Sequence, residues 1–435
     1  MEKIVFDSSL SSGKIKLLNC TNGGPMWKRH ANDPSNNFET YKALRIPYSR
    51  NHDSGAYMSQ GGPYAHDVTC IFPNFDADEN DGASYDFACT DESLLTTLEA
   101  GTGTFFRLGQ TIEHQIKKHG TIPPKDFGKW ARICEHIIRH YTEGWADGLK
   151  LDMPYWEIWN EPDLDKDDSK NKRTWGGTEA EFFDFFEVAS KHLKSCFPNL
   201  KIGGPALAYD TKWAERFLCE MRHRGVQLDF FSWHIYAPDI QSFEARAKRI
   251  RELLDKYGYE NTESILNEWN YVENWFDKFV YSVESIHGAK GAAFLMAAIS
   301  MAHKAPIDML MYYDTLPNIY NGVFDLYTNR PLKGYYPLYW YGSFYDLDHY
   351  VPASCSDPDV YTICGCGKDG KLTAVITYYA DDDNSPDKEI KVDFGRSGNF
   401  EAYLLDSEHD ASPIDSANGL TFTMKVDSCI LIKEK

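Results

Sequence analysis

The chain has 435 residues, of which 42% are hydrophobic and 14% aromatic, and its formal net charge is -20. This length and apolar content allow a large core and more than one domain. The strong negative charge argues against a phosphate backbone or an anionic membrane as the main partner, and no apolar run approaches the ~20 residues that span a bilayer. We therefore expect no nucleic-acid partner and no membrane partner.

Strand-like and helix-like stretches alternate along the first three quarters of the chain. The predicted strands are 14–19, 43–50, 104–109, 155–160, 200–206, 229–237, 264–269 and 308–314. Amphipathic helices are predicted between most of them, at 127–146, 179–197 and 242–258, with a more apolar helix at 289–305. Eight strands alternating with helices predict an α/β fold, a (β/α)8 TIM barrel over residues 14–340. A doubly wound sheet is the alternative, but no complete GxGxxG opens a helix after the first strand.

After about residue 340 the pattern changes to short alternating strands separated by Gly, Asp, Asn and Pro. This pattern predicts a small β-sandwich accessory domain over residues 341–435. A strand around residues 3–8, within the N-terminal segment 1–13, is expected to join that domain, because a turn-like LSSG separates it from the first barrel strand. The insertion at 51–88 is rich in Pro, Gly and aromatic residues and is expected to wall one side of the cleft.

The ten cysteines are scattered without a CxxC pair, and a domain of this size does not need disulfides. We interpret them as reduced thiols of a cytoplasmic protein. The N-terminus, MEKIVFDSSL, lacks the basic and apolar regions of a signal peptide, although a secreted or periplasmic protein with its signal removed would give the same pattern. His136 and His140 share a helix face, where solvated histidines are favoured over a zinc site. No metal and no organic cofactor is predicted.

The stretch PYWEIWNEPDLD, residues 154–165, places unusual chemistry on a short predicted strand. The side chains of Glu157 and Glu161 fall on one face by the period-two rule, and Pro162 ends the strand. A carboxylate at the end of a buried strand is costly unless it does chemistry. Glu268, in ILNEW, stands at the corresponding end of the predicted seventh strand. Catalytic residues of such barrels sit at these strand ends, and two carboxyls facing one cleft are what glycosidic cleavage requires.

The motifs WEIWNEP, SWHIYA and ILNEW together resemble the large clan of retaining glycosidases built on (β/α)8 barrels. Within that clan the chain is similar to glycoside hydrolase family 39, which includes β-xylosidases and α-L-iduronidases. Supporting stretches lie at 13–25, 45–53 and 72–87. The likeness covers most of the chain, including a terminal sandwich. It implies a retaining hydrolase that cleaves glycosides or oligosaccharides by double displacement, with an exo-acting β-glycosidase such as a β-xylosidase as the first expectation.

The resemblance also implies a role for several residues. Glu161 would be the acid/base and Glu268 the nucleophile, while Asn160 would hold the sugar 2-hydroxyl. His234 and Tyr236 match an HxY at the end of the sixth strand, where they would orient the nucleophile and line the sugar site. The remaining candidate substrate-binding residues are His52, Trp269, Tyr313 and Asp314. The last two stand where a tryptophan is often expected, and the alternative for Trp269 is a place in the core wall.

Structural readings compete with these roles. Glu161 could cap the following loop, and Glu268 could pair with a core arginine. Glu157 is interpreted as structural and in need of a cation, with Arg107 or Arg45 on neighbouring strands as candidates.

Functional alternatives also remain. They are a glycosidase of another specificity (uronide, arabinoside or endo-acting), with Arg330 and Lys333 as candidate partners of a uronate, and a non-catalytic carbohydrate-binding protein. The sequence leaves the sugar, the linkage and the oligomeric state open.

Overall fold

The computed structural model describes residues 1–7, 13–26, 36–53, 64–316, 318–416 and 419–435. After a first strand β1 (Glu2–Phe6), eight parallel strands close into a barrel in chain order. These are β2 (Leu17–Asn22), β3 (Tyr48–Arg50), β4 (Gly103–Leu108), β5 (Tyr155–Ile158), β6 (Lys201–Leu207), β7 (Phe230–Tyr236), β8 (Glu263–Asn270) and β9 (Met309–Tyr312). Each of the eight predicted strands overlaps one of them, so the predicted (β/α)8 fold is confirmed.

Helices follow most of the barrel strands. They are α1 (Phe38–Ala43), α2 (Val68–Ile71), α3 (Ala88–Glu99), α4 (Phe127–Thr142), α5 (Glu179–Cys196), α6 (Thr211–His223), α7 (Ile240–Lys256), α8 (Phe279–His287), α9 (Ala289–Lys304) and α10 (Tyr335–Phe344). Their starts follow local chemistry: α4, α6 and α7 begin after Asp126, Asp210 and Asp239, whose carboxylates accept backbone N–H groups of the first turn. A capping box between Thr178 and Glu181 begins α5.

The barrel interior has two chemical levels. One level is an apolar cluster made of inward side chains from seven positions: Cys20, Phe105, Tyr155, Phe230, Ile265, Met309 and Met311. The other is polar and contains Arg50, Glu157 and Asn267, all fully buried. Outward side chains of the strands pack against the helices and form the large core cluster. The polar level lies toward the C-terminal ends of the strands. There Arg50 donates hydrogen bonds to Asn160 and Glu268.

The last ninety residues form two sheets that face each other across a second apolar core. The strands are β10 (His349–Tyr350), β11 (Ala353–Ser354), β12 (Val360–Cys366), β13 (Leu372–Tyr378), β14 (Lys388–Asp393), β15 (Phe400–Leu405), β16 (Ser412–Ile414), β17 (Thr421–Met424) and β18 (Ser428–Glu434). One sheet has the order β10-β12-β13-β18-β15-β16 and the other β11-β1-β14-β17. The N-terminal β1 therefore lies in this sandwich, parallel to β14 and antiparallel to β11. Residues 8–12 lie outside the described part of the chain.

Helix α9 joins the two parts. Fourteen of its sixteen residues are buried, and it packs against α7, α10 and β2 on the barrel and against β12, β13 and β18 on the sandwich. The predicted division at residue 340 falls inside α10.

Three further observations bear on the expectations from sequence. All ten cysteines carry free thiols. Across the described ranges, no helix combines the length and the apolar character needed to cross a membrane. The interpretation of His140 as solvated is wrong, because its ring is buried, stacks on Phe87 and contacts Asp91 through Nε2 at 3.1 Å.

Candidate active site

A cavity of about 700 Å³ opens where the barrel strands end. It is lined by residues that end or follow seven strands, β3 to β9: His52, Asp53, Ile112, His114, Glu161, Leu164, Arg173, Ala208, Tyr209, Ile235, Tyr236, Arg246, Glu268, Trp275, Phe276, Tyr313 and Tyr320. Both predicted catalytic glutamates are among them. A second cavity of about 520 Å³ lies near the opposite ends of β6, β7 and β8 and contains neither glutamate.

The backbone turns sharply to present Glu161. Trp159 and Glu161 have φ values of 73° and 49°, in the left-handed region that a non-glycine residue enters at a cost. The Glu161 N–H donates to the carbonyl of Ala206 at 2.9 Å, and the Glu161 carbonyl accepts the Thr174 hydroxyl at 2.6 Å. These bonds hold the strained turn, so the carboxyl is fixed at the strand end with Pro162 behind it.

Glu268 is held at both of its oxygens. The Tyr236 hydroxyl donates to Oε1 at 2.7 Å, and Arg50 Nη1 donates to Oε2 at 3.0 Å. Both contacts favour an ionised carboxylate, because charge-assisted hydrogen bonds stabilise the charged form. The role predicted for Glu268, which requires a carboxylate at this position, fits this environment.

Arg50 is the centre of the buried polar level. Its guanidinium donates to Glu157 Oε2 at 2.7 Å, to Asn160 Oδ1 at 2.6 Å and to Glu268 Oε2 at 3.0 Å. Asn267 donates to the other oxygen of Glu157 at 2.6 Å. The buried carboxylate of Glu157 is thereby fully paired, as a structural role requires.

The expected partners of Glu157 were wrong. Arg107 is bonded to Asp67 at 2.8 Å, and Arg45 is bonded to Asp346 near the surface. Arg50 serves instead, because its side chain crosses the barrel interior from β3 to reach both glutamates.

The two candidate catalytic carboxyls stand close together around His234. One carboxylate oxygen of Glu161, one of Glu268 and a ring nitrogen of His234 lie within 4.8 Å of one another. His234 Nδ1 is 2.8 Å from Glu161 Oε1 and 3.7 Å from Glu268 Oε2. In retaining glycosidases the two carboxyl groups are ~5–5.5 Å apart, and in inverting enzymes ~6.5–9.5 Å. The short distance between the nearest oxygens is consistent with the separation of a retaining enzyme.

Burial shifts the pKa values of all three groups. Burial, followed by the charge of the nearby Asp163, raises the pKa of Glu161 to about 8. Burial and Glu161 also raise the pKa of Glu268, while His234, Arg50 and Tyr236 oppose that rise. Burial lowers the pKa of His234 to about 4, so this ring is neutral at pH 7.

The structure places most of the predicted substrate-binding residues at the cavity or directly beside it. Tyr236 and Tyr313 line it. His52 lines it too, and burial together with the charges of Arg50 and Arg107 holds its pKa well below the ordinary value. Asn160 is buried next to Glu161, with its Oδ1 bonded to Arg50. The role of each in binding sugar stays a prediction.

Besides Asn160 and His234, which lie beside the candidate catalytic glutamates, two further predicted binding residues do not line the cavity. Trp269 is fully buried against Phe243 of α7 and Phe294 of α9. Successive strand side chains point to opposite faces, so Trp269 must face the helices when Glu268 faces the barrel axis. Asp314 is buried behind Tyr313, where both of its oxygens accept from Asn318. Both assignments as sugar contacts are corrected on these grounds.

The insertion after β3 was expected to wall one side of the cavity, and only its first residues are seen to do so among those that the structure describes. His52 and Asp53 line the cavity, and residues 54–63, on which the predicted wall also depends, lie outside the described residues. Burial raises the pKa of Asp53 to about 6, and the Tyr313 hydroxyl donates to its Oδ2 at 3.0 Å.

Sequence reasoning missed the aromatic side chains at the mouth of the cavity. Trp275 and Phe276 follow β8 in a loop without periodicity and are 47% and 86% exposed. The Trp275 ring lies 5.1 Å from that of Tyr236, edge to face. The one available signal was compositional, since NWF places two large aromatics in a short polar loop after a catalytic strand.

The candidate uronate cations are not at the site. Lys333 is bonded to Asp410 at 2.7 Å, and neither Lys333 nor Arg330 lines the cavity. The arginines that do line it are engaged: Arg173 pairs with Asp165 at 2.9 Å, and Arg246 donates to backbone carbonyls.

Among the described residues, two groups have the composition of a cation site. They are Glu161, His234 and Glu268 in the cavity, and Glu135, His192 and Cys196 between α4 and α5. In each group the histidine already lies within hydrogen-bond distance of a carboxylate, at 2.8 Å and 2.7 Å respectively. The expectation that no metal is used stays a prediction.

Comparison with known proteins gives consistent matches. The sequence profile described as Glycosyl hydrolases family 39 matches residues 34–283. A beta-xylosidase of Caldicellulosiruptor saccharolyticus is 30% identical over 195 residues, 42% of this chain and 37% of that protein. A beta-xylosidase of Geobacillus stearothermophilus is 34% identical over 136 residues, 29% of this chain and 25% of that protein. The matched regions thus span between a quarter and two fifths of these relatives.

A solved structure extends the likeness to the whole fold. The glucosidase from Croceicoccus marinus superposes with a TM-score of 0.78 over 100% of this chain and 98% of the other, at 21% identity. At that identity the likeness concerns the fold, and it includes both the barrel and the terminal sheets.

Proposed function

Because the chain belongs to family 39 of the glycosyl hydrolases, whose profile matches more than half of it, we propose that it is a retaining, exo-acting β-glycosidase that accepts β-xylosides. The observation that carries this proposal is the pair of carboxyls within 4.8 Å at the ends of β5 and β8. One is mainly protonated at neutral pH and the other is held by cationic and hydroxyl donors.

In the first step Glu161 donates its proton to the glycosidic oxygen while Glu268 attacks the anomeric carbon. The bond to the leaving alcohol breaks, and a glycosyl ester forms on Glu268. The pKa of about 8 keeps the Glu161 proton available at pH 7. Arg50 and Tyr236 hold the attacking carboxylate in place, so that it approaches the sugar from a fixed direction.

In the second step Glu161 acts as the base. Once Glu268 is esterified its negative charge is gone, and with it one of the charges near Glu161. The Glu161 carboxylate then takes a proton from water, whose oxygen attacks the anomeric carbon and frees Glu268. Two inversions at one carbon give net retention.

The charges at the site favour a neutral sugar over a uronide. Glu161, Glu268 and Asp53 line the cavity, and both lining arginines are already bonded to protein. Among the described residues that line this acidic site, a uronate carboxylate would therefore find no arginine free to pair with it. Support for xylose among neutral sugars comes from the two beta-xylosidase relatives.

The test uses aryl β-xylosides and two variants. Glu268→Ala should abolish turnover of every substrate. Glu161→Ala should spare the first step for activated phenols and slow the second, and added azide should then yield a β-glycosyl azide. Glu143→Ala, an exposed partner of Arg139 on α4, is the matched control for expression and folding.

Two results would reject the proposal. One is an azide product of inverted configuration, and the other is substantial turnover by Glu268→Ala. Proton NMR of the first-formed sugar supplies an independent check, because retention requires the β-anomer to appear before mutarotation.

A further inference from the structure

The mouth of the cavity has a chemical character different from its floor. The floor holds Glu161, Glu268 and the hydroxyls of Tyr236 and Tyr313. The mouth carries large apolar side chains from loops on two sides of the barrel. After β4, β5 and β6 stand Ile112, Leu164 and Tyr209, and after β8 stand Trp275 and Phe276. We call the last two the aromatic lip.

The aromatic lip is exposed without covering any core. Phe276 is 86% and Trp275 47% exposed, and Tyr209, which lines the same cavity, is 49% exposed. Large apolar side chains clustered at a cavity mouth mark a binding surface, since exposing them to water has no structural benefit. The charged groups beside them are occupied by protein: Arg173 by Asp165, and Arg246 by the carbonyls of Ala208 and His234.

The loop that carries the aromatic lip is held in place at several points. The Phe276 N–H donates to Asn274 Oδ1 at 2.7 Å, and the Glu273 N–H donates to the Ser282 hydroxyl at 2.9 Å. The Tyr271 hydroxyl donates to Asp381 of the sandwich at 3.1 Å. A preorganised apolar surface binds a ligand with less ordering cost than a mobile one.

The loop also contacts Tyr236, the residue that holds the nucleophile. The Trp275 ring packs edge to face on Tyr236, whose hydroxyl bonds to Glu268. Trp275, Phe276 and Tyr209 line the same cavity as Glu161, which would protonate the leaving oxygen. Among the described residues, the two arginines that line the cavity are already bonded to protein, so the mouth suits an apolar ring better than the hydroxyl-covered face of a second sugar.

We propose that the mouth is a subsite for a flat apolar aglycone, so that the substrates are β-glycosides of aryl or arylalkyl alcohols in preference to short oligosaccharides. The inference rests on the proposed hydrolase function for its chemistry, and on the exposure and position of Trp275, Phe276 and Tyr209 for the identity of the leaving group.

The test compares two substrates that differ in aglycone surface while their alcohols have similar acidity. 2-Naphthylmethyl and 2-methoxyethyl β-xyloside are suitable, and the measured quantity is the ratio of their kcat/KM values. Burial of one aromatic ring against the lip predicts a ratio of about ten or more in favour of the naphthylmethyl glycoside. Phe276→Ala and Trp275→Ala should each lower the ratio several-fold, and the ratio cancels any general loss of activity. Tyr327→Ala is the matched control, because Tyr327 is 84% exposed and does not line the cavity.

Three results would overturn the inference while leaving the hydrolase function intact. They are a ratio near one in the unaltered protein, a ratio unchanged by both lip variants, and a higher kcat/KM for xylobiose than for the naphthylmethyl glycoside. If no xyloside is cleaved, the proposed sugar is wrong, and the aglycone subsite is then tested by a binding experiment. Line broadening of 2-naphthalenemethanol in proton NMR should then appear with the unaltered protein and be lost in Phe276→Ala; equal broadening by both proteins would overturn the subsite.

Discussion

The hydrogen bond from Tyr236 to Glu268 gives the sharpest test of how the nucleophile is kept ionised. Tyr236→Phe removes one hydroxyl that lies 2.7 Å from Glu268 Oε1 and leaves the ring in place. A hydrogen bond to a charged group contributes about 1.5–3 kcal/mol, and one pKa unit corresponds to about 1.4 kcal/mol. Loss of this bond should therefore raise the pKa of Glu268 by about one to two units. Arg50 stays bonded to Oε2 and limits the rise.

The assay is the pH dependence of kcat/KM, which reports the free enzyme. Attack requires an ionised Glu268 and proton donation requires a protonated Glu161, so activity falls below the first pKa and above the second. The acid limb should move up by one to two units in Tyr236→Phe, while the alkaline limb stays. The bell-shaped curve of kcat/KM against pH should therefore become narrower on its acid side. Its maximum should fall, because the two pKa values that bound it come closer together.

Tyr313→Phe is the matched control, because the Tyr313 hydroxyl lies in the same cavity and donates to Asp53 instead. An acid limb that stays in place in Tyr236→Phe, or that moves equally in Tyr313→Phe, would refute the reasoning.

Three further predictions concern the same groups. The alkaline limb of kcat/KM should lie near pH 8, because the pKa of Glu161 is raised to about 8 by burial; a limb set by an exposed carboxyl would lie near pH 4.5. The pKa of Glu161 is higher in the folded protein than in the unfolded chain, so this group costs stability as the pH rises from about 4.5 through about 8. Glu161→Gln removes that cost, and calorimetry should show a higher Tm at pH 9 and little change at pH 4. Arg50→Lys should lower the free energy of unfolding, measured by urea titration, by about 3 kcal/mol or more. An ammonium cannot make all the hydrogen bonds of the guanidinium and leaves the buried Glu157 incompletely paired. The control Arg45→Lys, at an exposed ion pair, should change the free energy of unfolding by less than about 1 kcal/mol.

The barrel could be predicted because its strands are buried on both faces and separated by strongly amphipathic helices. Glu161 and Glu268 could be located for a related reason, since a strand end followed by Pro162 or by polar loop residues is visible in the sequence. What could not be predicted depends on contacts across the barrel. Arg50 lies on β3 and meets Glu157 of β5 inside the closed barrel, whereas pairing along neighbouring strands pointed to Arg107.

Other residues were placed wrongly, or not noticed, because the local sequence pattern did not determine which way the side chain points. Strand alternation would have excluded Trp269 had it been applied to β8, because Trp269 adjoins the inward Glu268. His140 looked polar from its helix stripe, but Phe87 and Asp91 arrive from elsewhere in the chain and bury it. Trp275 and Phe276 lie in an irregular loop, where no periodicity predicts orientation.

The burial of α9 between barrel and sandwich also limits how this chain can be divided. Its buried residues face apolar surface on both sides, and Phe294 touches both Trp269 of the barrel and Tyr379 of the sandwich. Lys290, at the start of the same helix, finds its bonding partners in Asp381 and Asp383 of the sandwich. A barrel without the terminal sheets would expose one side of its most apolar helix and leave a buried lysine without its anions. The barrel and the sandwich should therefore unfold as one cooperative unit. A chimaera that replaces the sandwich with another domain would also need substitutions on the face of α9 that contacts it.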